Sequence, residues 1–157
     1  MTDSDVWLRR TIAAPPIDVY RAWLEPEILR RWFAAGDLEA TRAEVEPRVG
    51  GRHRVWQTDP DGTDVGGAEG VFVELVPSER IVLRWNFVGP DRATPPAEES
   101  LLTVTFRPGA EDGTTDLTLV HERLDGLRAA HPDVARQVTA GWAAVLDTLT
   151  TEIGDLR

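Results

Sequence analysis

The fold is decided by the stretch Pro132–Leu156, PDVARQVTAGWAAVLDTLTTEIGDL. Its apolar residues recur at intervals of three and four, which is typical of one face of an amphipathic α-helix. That face carries Val134, Val138, Gly141, Trp142, Val145, Leu146, Leu149 and Ile153. A helix of this length extends about 36 Å, too far for a connector, so we expect its apolar face to pack across another layer of structure.

Gly141 is an unusual residue for the middle of this apolar face. Glycine costs up to about 1 kcal/mol relative to alanine in a helix interior, and it leaves the backbone uncovered by a side chain. We therefore predict that a strand, a ligand or another backbone approaches the helix closely at Gly141.

The first part of the chain predicts one strand and two short helices. Val6–Ile12 is rich in β-branched and large apolar residues, as strands are. The prolines Pro15 and Pro16 end it, because they cannot donate ladder hydrogen bonds. One helix is predicted over residues 17–24. A second begins at Pro26, since proline fits the first helical position, and stops near Gly36.

The middle of the chain predicts a series of strands separated by turn residues. The strands are expected at Glu39–Val45, 52–57, 70–76, 80–87, 100–107 and 115–124. Aspartate, glycine and proline mark the turns between them, including a proline-rich loop at 89–98. Successive strands joined by short turns indicate an antiparallel sheet. The long helix would then cover this sheet in an α+β fold.

Composition limits the class of protein. The chain has 157 residues and no cysteine, which predicts one domain over residues 1–157 and excludes disulfides and thiolate chemistry. The acidic start lacks the basic and apolar regions of a signal peptide. No apolar run approaches the roughly 20 residues that span a membrane. The sequence therefore predicts a soluble cytoplasmic protein.

The charge of the chain is −10 and is unevenly distributed. Residues 1–57 contain 9 arginines and 9 acidic residues, whereas residues 58–157 contain 8 arginines and 18 acidic residues. No region has the basic surface of a nucleic-acid binder, and an anionic membrane would repel the chain. We thus expect neither nucleic acid nor membrane as a partner. Whether the chain is a monomer or a homodimer stays open.

Seven segments together carry a family resemblance, although each is a weak motif alone. They are 14–15 with 19–23, 31–33, 48–52, 70–85, 115–122, Gly141-Trp142 and Leu146 with Leu149. In this order they resemble the helix-grip fold of the Bet v 1/START (SRPBCC) superfamily. The most similar branch is the activator of Hsp90 ATPase homologue 1-like family. Two positions depart from the family pattern: Leu24-Glu25-Pro26 replaces a Thr-Asp-Pro-like helix cap, and His53 stands where an aromatic residue is common.

The resemblance implies a strongly curved antiparallel sheet of six or seven strands wrapped around the long C-terminal helix. Two short helices would follow the first strand, and a hydrophobic cavity would lie between sheet and helix. Members of the superfamily commonly hold lipophilic small molecules there. Others act as cyclases, hydrolase-like enzymes or chaperone partners, so the fold alone does not decide the function.

The usual catalytic and metal-binding signatures are missing from the sequence. None of the three serines lies in a nucleophile elbow, and the three histidines lack metal-ligand spacing. Asp59, Asp61 and Asp64 do not match a calcium-binding loop and indicate a solvated turn. We therefore assign no catalytic residue, no metal and no cofactor.

A set of residues on the predicted strands and helices could line the cavity. Alternate side chains of a strand share a face, so His53 accompanies Val55, Glu74 accompanies Phe72 and His121 accompanies Leu119. The predicted ligand-binding residues are Trp32, His53, Val55, Phe72, Glu74, Leu83, Trp85, Leu102, Val104, Leu119, His121, Trp142 and Leu146. The alternative is that the polar members are hydrogen-bonded structural residues and that the tryptophans only fill the core.

Three functions fit these residues. The preferred hypothesis is a module that binds a small lipophilic or aromatic molecule without an assigned reaction. The second is an enzyme of the cyclase or hydrolase-like kind that uses His53, Glu74 or His121 as a general acid or base. The third is a protein-interaction module of the co-chaperone kind.

Overall fold

Seven β-strands and four helices form the computed structural model, which describes residues 5–34, 37–90, 100–130 and 132–156. The strands are β1 (Val6–Ile12), β2 (Glu39–Val45), β3 (Arg52–Thr58), β4 (Asp64–Val76), β5 (Arg80–Val88), β6 (Ser100–Pro108) and β7 (Thr115–Glu122). The helices are α1 (Pro16–Ala22), α2 (Pro26–Trp32), α3 (Asp125–Ala130) and α4 (Pro132–Leu156). Within the described ranges, no helix combines the length and apolarity needed to cross a membrane.

The strands form one antiparallel sheet in the order β1-β7-β6-β5-β4-β3-β2. From β2 to β7, strands that are consecutive in sequence pair with one another. Strand β1 pairs with β7 and forms the edge opposite β2. The predicted meander with a long covering helix is therefore confirmed. In β7, buried and half-buried side chains alternate without interruption, because one face of the sheet is turned toward the core.

Helix α4 lies against the concave, buried face of this sheet. Its apolar face supplies the buried side chains Trp142, Val145, Leu146, Leu149 and Ile153. These join one continuous hydrophobic core with residues from α1, α2 and all seven strands. Its boundaries, Pro132 and Leu156, are those that the periodicity predicts.

Several boundaries differ from those that the sequence predicts. Strand β4 begins at Asp64, six residues before the predicted start, because the Gly66-Gly67-Ala68 run pairs with β3, and Gly67 and Ala68 also pair with β5. Because glycine is depleted in strands, residue propensities do not predict a strand over this run. Helix α1 ends two residues early, and the short helix α3 was not predicted. The predicted stop at Gly36 and residues 91–98 of the predicted loop lie outside the described residues.

A β-bulge in β4 separates Phe72 from Glu74. Phe72 pairs with Leu83 and Glu74 pairs with Val82, so Val73 between them has no register partner. An extra residue moves the following side chains to the opposite face of a strand. Phe72 is accordingly buried, whereas Glu74 is partly exposed and binds the Arg80 guanidinium at 2.6 Å. The expectation that Glu74 shares the inner face with Phe72 is therefore wrong.

The hairpin between β3 and β4 explains the aspartates at 59 to 64. The Asp59 Oδ1 atom accepts hydrogen bonds from the backbone N–H groups of Asp61 (2.9 Å) and Thr63 (3.0 Å). The Asp64 Oδ1 atom accepts one from the N–H group of Gly66 at 2.8 Å. Such side-chain bonds to nearby backbone are how aspartate stabilises turns, as the sequence predicts.

Gly62 and Gly66 form a natural pair for testing this hairpin. Both adopt a left-handed backbone conformation, with φ of 83° and 91°. A Cβ atom at Gly62 would meet no atom within 4 Å, whereas one at Gly66 would clash with the carbonyl oxygen of Val88. We expect Gly62→Ala to lower the free energy of unfolding by about 1–2 kcal/mol, which is the cost of the backbone conformation.

Gly66→Ala should cost clearly more than Gly62→Ala, because the clash with the β5 backbone adds to the same backbone cost. Urea denaturation of the two variants measures the difference. Equal losses would show that the close approach of β4 to β5 at Gly66 does not constrain the fold.

Candidate functional site

A chain of hydrogen bonds links α4 to three neighbouring strands. The Trp142 Nε1–H group donates to the Nδ1 atom of His121 on β7 at 3.0 Å. The His121 Nε2 atom lies 2.7 Å from the Ser100 hydroxyl on β6. That hydroxyl in turn donates to the carbonyl oxygen of Trp85 on β5 at 2.7 Å. His121 and Ser100 are buried, so the chain is closed to solvent.

The direction of these bonds fixes the protonation of His121. An indole N–H can only donate, so Nδ1 of His121 must carry a lone pair and Nε2 must carry the proton. The Ser100 hydroxyl can accept from Nε2 because its own proton is directed to the Trp85 carbonyl. Burial lowers the pKa of His121 from 6.5 to about 3, against a smaller opposing effect of Asp5. His121 is thus held neutral, and its basic lone pair is already occupied.

His53 is a second buried neutral histidine. Its Nε2–H group donates to the carbonyl oxygen of Trp23 at 3.0 Å, which leaves Nδ1 as the unprotonated nitrogen. Over the described ranges, the Nδ1 atom has no hydrogen-bond partner. Burial lowers the pKa of His53 from 6.5 to about 4, and the bond to Trp23 only partly opposes this effect. The imidazole packs edge-on against Phe33 and Phe72, with ring centroids 5.8 Å apart in each case.

Aromatic rings from α2, β5 and α4 meet where the sheet and the long helix converge. Phe33 follows the last residue of α2, and its ring centroid lies 5.6 Å from that of Trp142. The Trp142 ring also packs against Trp85, with centroids 5.7 Å apart. Trp32 donates its Nε1–H group to the Ala22 carbonyl at 3.1 Å, which joins α2 to the end of α1. This contact brings the helix pair, and with it Phe33, toward α4.

An apolar pocket of about 200 Å³ opens beside this cluster, between the first half of α4 and strands β3 to β5. Its walls are Phe33, Leu38, Gln57, Gly67, Ala68, Trp85, Phe87, Val134, Gln137, Val138, Gly141, Trp142 and Val145. None of these lining residues, taken from the part of the chain that the structure describes, carries a charge. Four aromatic side chains and five aliphatic ones therefore provide an environment that favours apolar ligands.

Small residues provide the room for this pocket. Gly67 and Ala68 lie on the sheet wall, and Gly141 lies on the helix wall. A Cβ atom at Gly141 would meet no atom within 4 Å, so the prediction of a close backbone approach there is wrong. The glycine instead lies beside open space, where a larger side chain would extend into the pocket.

The predicted ligand-binding residues separate into four groups in the structure. Trp85 and Trp142 line the apolar pocket, while Trp32 lines a different recess beside Arg30 and Arg31. Glu74 lies outside the core, because the bulge at Val73 turns its side chain away from the inner face of β4. Nine are buried side chains of the interior: His53, Val55, Phe72, Leu83, Leu102, Val104, Leu119, His121 and Leu146.

Several pocket residues were not predicted from the sequence, including Phe33, Gln57 and Phe87. Phe87 lies two positions after Trp85 on β5, and Gln57 lies two positions after Val55 on β3, so strand alternation could have placed both on the inner face. Phe33 follows the end of α2 and gave no such signal. A hydrogen bond from Gln57 Nε2 to the Phe33 carbonyl (3.0 Å) brings these two together across 24 residues of sequence.

Comparison with known proteins places this fold in context. The profile of the family described as activator of Hsp90 ATPase homolog 1-like protein matches residues 13–154. A protein from Chromobacterium violaceum has a similar structure, with a TM-score of 0.74 and 28% identity over 94% of this chain and 95% of that one. No match was found among curated proteins.

Two further solved structures share the fold at lower identity. A protein from Arthrobacter aurescens has a TM-score of 0.82 and 17% identity, over 99% of this chain and 90% of that one. An HSP90 activator from Plasmodium falciparum has a TM-score of 0.71 and 22% identity, over 96% of both chains. At these identities the similarity shows the fold alone.

The two buried histidines make stability depend on pH. Each has a pKa of 6.5 when unfolded and a lower one when folded, so the unfolded chain binds more protons below about pH 6.5. The free energy of unfolding should therefore be fully retained above that pH. As pH falls toward 4, it should decrease by about 1.4 kcal/mol per pH unit for each histidine.

Urea denaturation between pH 7 and 4.5 measures this slope, and His121→Gln provides the comparison. In this variant the free energy of unfolding should depend less steeply on pH, by the contribution of one histidine, whatever the absolute stability of the variant. The contributions of the carboxylates to the slope should be the same in both proteins. Identical slopes in the two proteins would contradict the neutral, buried state of His121.

Two Trp→Phe variants test the hydrogen bond between α4 and β7. Trp142→Phe leaves the buried Nδ1 atom of His121 without a donor, which costs about 1–3 kcal/mol. Trp85→Phe removes a buried N–H group that has no protein partner, so it loses only packing. We expect the free energy of unfolding, measured in urea, to fall further in Trp142→Phe than in Trp85→Phe. Equal losses would show that the bond contributes nothing to stability.

Proposed function

Because the chain belongs to the family of activator of Hsp90 ATPase homolog 1-like proteins, whose helix-grip fold serves ligand-binding and interaction modules, we propose that it binds a small apolar molecule. The ligand would occupy the pocket between α4 and strands β3 to β5. The observation that carries this proposal is the apolar pocket itself, with aromatic walls and an uncharged lining.

The size of the pocket limits the size of the ligand. An apolar cavity of roughly 150 Å³ in another protein holds one benzene molecule. A pocket of about 200 Å³ therefore accommodates a single aromatic ring with one or two small substituents. Burying such a ring between Phe33, Trp85, Phe87 and Trp142 removes apolar surface from water, which is the main source of affinity in such sites.

The positions of the acid–base candidates favour binding over catalysis at this pocket. His53 and His121 are neutral, buried and outside its lining, and Glu74 faces away from the core. A general base must lie within hydrogen-bond reach of the proton that it takes. Neither the two histidines nor Glu74 lies within hydrogen-bond reach of a ligand held in this pocket.

Gly141→Leu tests the location of the site. The leucine side chain would extend into the pocket and displace the ligand, so binding of 4-fluorotoluene should weaken by tenfold or more, where each factor of ten is about 1.4 kcal/mol. Replacing a helical glycine should leave stability unchanged or raise it by up to about 1 kcal/mol. Fluorine NMR line broadening measures the binding, and thermal unfolding measures the stability.

Ala140→Leu is the matched control, because Ala140 is the exposed neighbour of Gly141 on α4 and does not line the pocket. It should bind 4-fluorotoluene as the unmodified chain does. Absence of binding in the unmodified chain would overturn the proposed function. Equal binding by Gly141→Leu and Ala140→Leu would place the site elsewhere.

A further inference from the structure

Among the described residues of the sheet that line the pocket, Gln57 is the one whose polar side-chain group is both oriented and available. It extends from the inner face of β3, and its Nε2 group donates to the Phe33 carbonyl at 3.0 Å. A carbonyl can only accept, so this bond fixes which end of the amide is oxygen. Within the described part of the chain, no donor is bonded to the Gln57 Oε1 atom. The pocket wall therefore presents an oriented hydrogen-bond acceptor.

The other polar groups of the pocket do not compete with this acceptor. Gln137 lies on the exposed surface of α4 at the rim, where water solvates its amide. The indole Nε1–H of Trp85 has no partner among the described residues, but that atom is buried. Of the described lining side chains, only Gln57 thus presents a fixed and available polar atom to a ligand, and that atom accepts.

The charge of the surroundings disfavours ionised ligands. No described lining residue carries a charge that could neutralise an ion, and an ion transferred into an apolar pocket loses its hydration without compensation. The net charge of −10 further repels anions. A neutral molecule is therefore favoured over a carboxylate or an ammonium of the same size.

We propose that the pocket selects a neutral single-ring compound that carries a hydroxyl or N–H donor, of the phenol or aniline class. The donor would bond to Gln57 Oε1 while the ring packs between the aromatic walls. This inference rests on the proposed function, because it requires that the pocket binds a ligand. It adds the chemical class of that ligand and the residue that determines it.

The test compares three fluorinated probes of nearly equal size by fluorine NMR. 4-Fluorophenol can donate a hydrogen bond, 4-fluoroanisole can only accept one, and 4-fluorotoluene can do neither. We define the selectivity as the Kd of 4-fluorotoluene divided by that of 4-fluorophenol. In Gln57→Leu this ratio should fall about tenfold, because the buried hydroxyl loses its partner. Binding of 4-fluorotoluene should persist, which shows that the pocket is intact.

Thr139→Leu is the control, since it replaces an exposed polar side chain of α4 that does not line the pocket with the same leucine. Its selectivity should equal that of the unmodified chain. The inference is overturned if Gln57→Leu keeps the full selectivity, or if 4-fluoroanisole binds the unmodified chain as tightly as 4-fluorophenol. If 4-fluorotoluene binds while selectivity is absent, the proposed function stands and only the role of Gln57 fails. If no probe binds the unmodified chain, both are overturned.

Discussion

The hydrogen bond from Trp142 to His121 is the interaction on which the rest of the structure depends. It joins the one long helix to the sheet at a point where both are buried, and it continues through Ser100 to the backbone of Trp85. An unpaired polar group in a low-dielectric interior is costly, so the members of such a chain favour the arrangement in which they stay bonded. This chain of bonds therefore fixes the position of α4 relative to β5, β6 and β7 more narrowly than apolar packing would.

The pocket is a consequence of how α4 is fixed in this way. Beyond Trp142 toward its C-terminal end, the helix lies on the core through Leu146, Leu149 and Ile153. Toward its N-terminal end, Val134 and Val138 are only half-buried, and the space below them is the apolar pocket. Trp142 thus has two roles, since it bonds to the sheet on one side and forms a pocket wall on the other.

The family relationship sets the fold but leaves the function to the residues of the individual chain. One scaffold can serve many functions, and the site must be argued from its own chemistry. Here the histidines that suggest acid–base chemistry in the sequence are structural links, each oriented by a hydrogen bond and held neutral by burial. The polar group that faces the pocket is an amide, which can orient a ligand but is a poor acid or base.

The sequence by itself determined the elements whose signal is a local period. The apolar face of α4 and the alternation of β7 could be read directly, because neighbouring residues in a regular element report the same buried surface. The order of the elements and their short turns were then enough to predict an antiparallel sheet under a helix. Even the neutral environment of His53 and His121 follows in part from their place on inward-facing strand positions.

Tertiary structure decided which side chains meet. A single unpaired residue, Val73, turned Glu74 away from the core, and nothing in the alternation of β4 signals that bulge. Phe33 and Gln57 reach the pocket only because a hydrogen bond joins two elements that are distant in sequence. Gly141 was conspicuous in the sequence, but whether it faced a backbone or open space depended on where Trp142 and His121 hold the helix. Local sequence patterns specify on which face of an element a residue lies. Strand register and long-range hydrogen bonds specify which residues meet across elements, and a pocket is formed by residues that meet in this way.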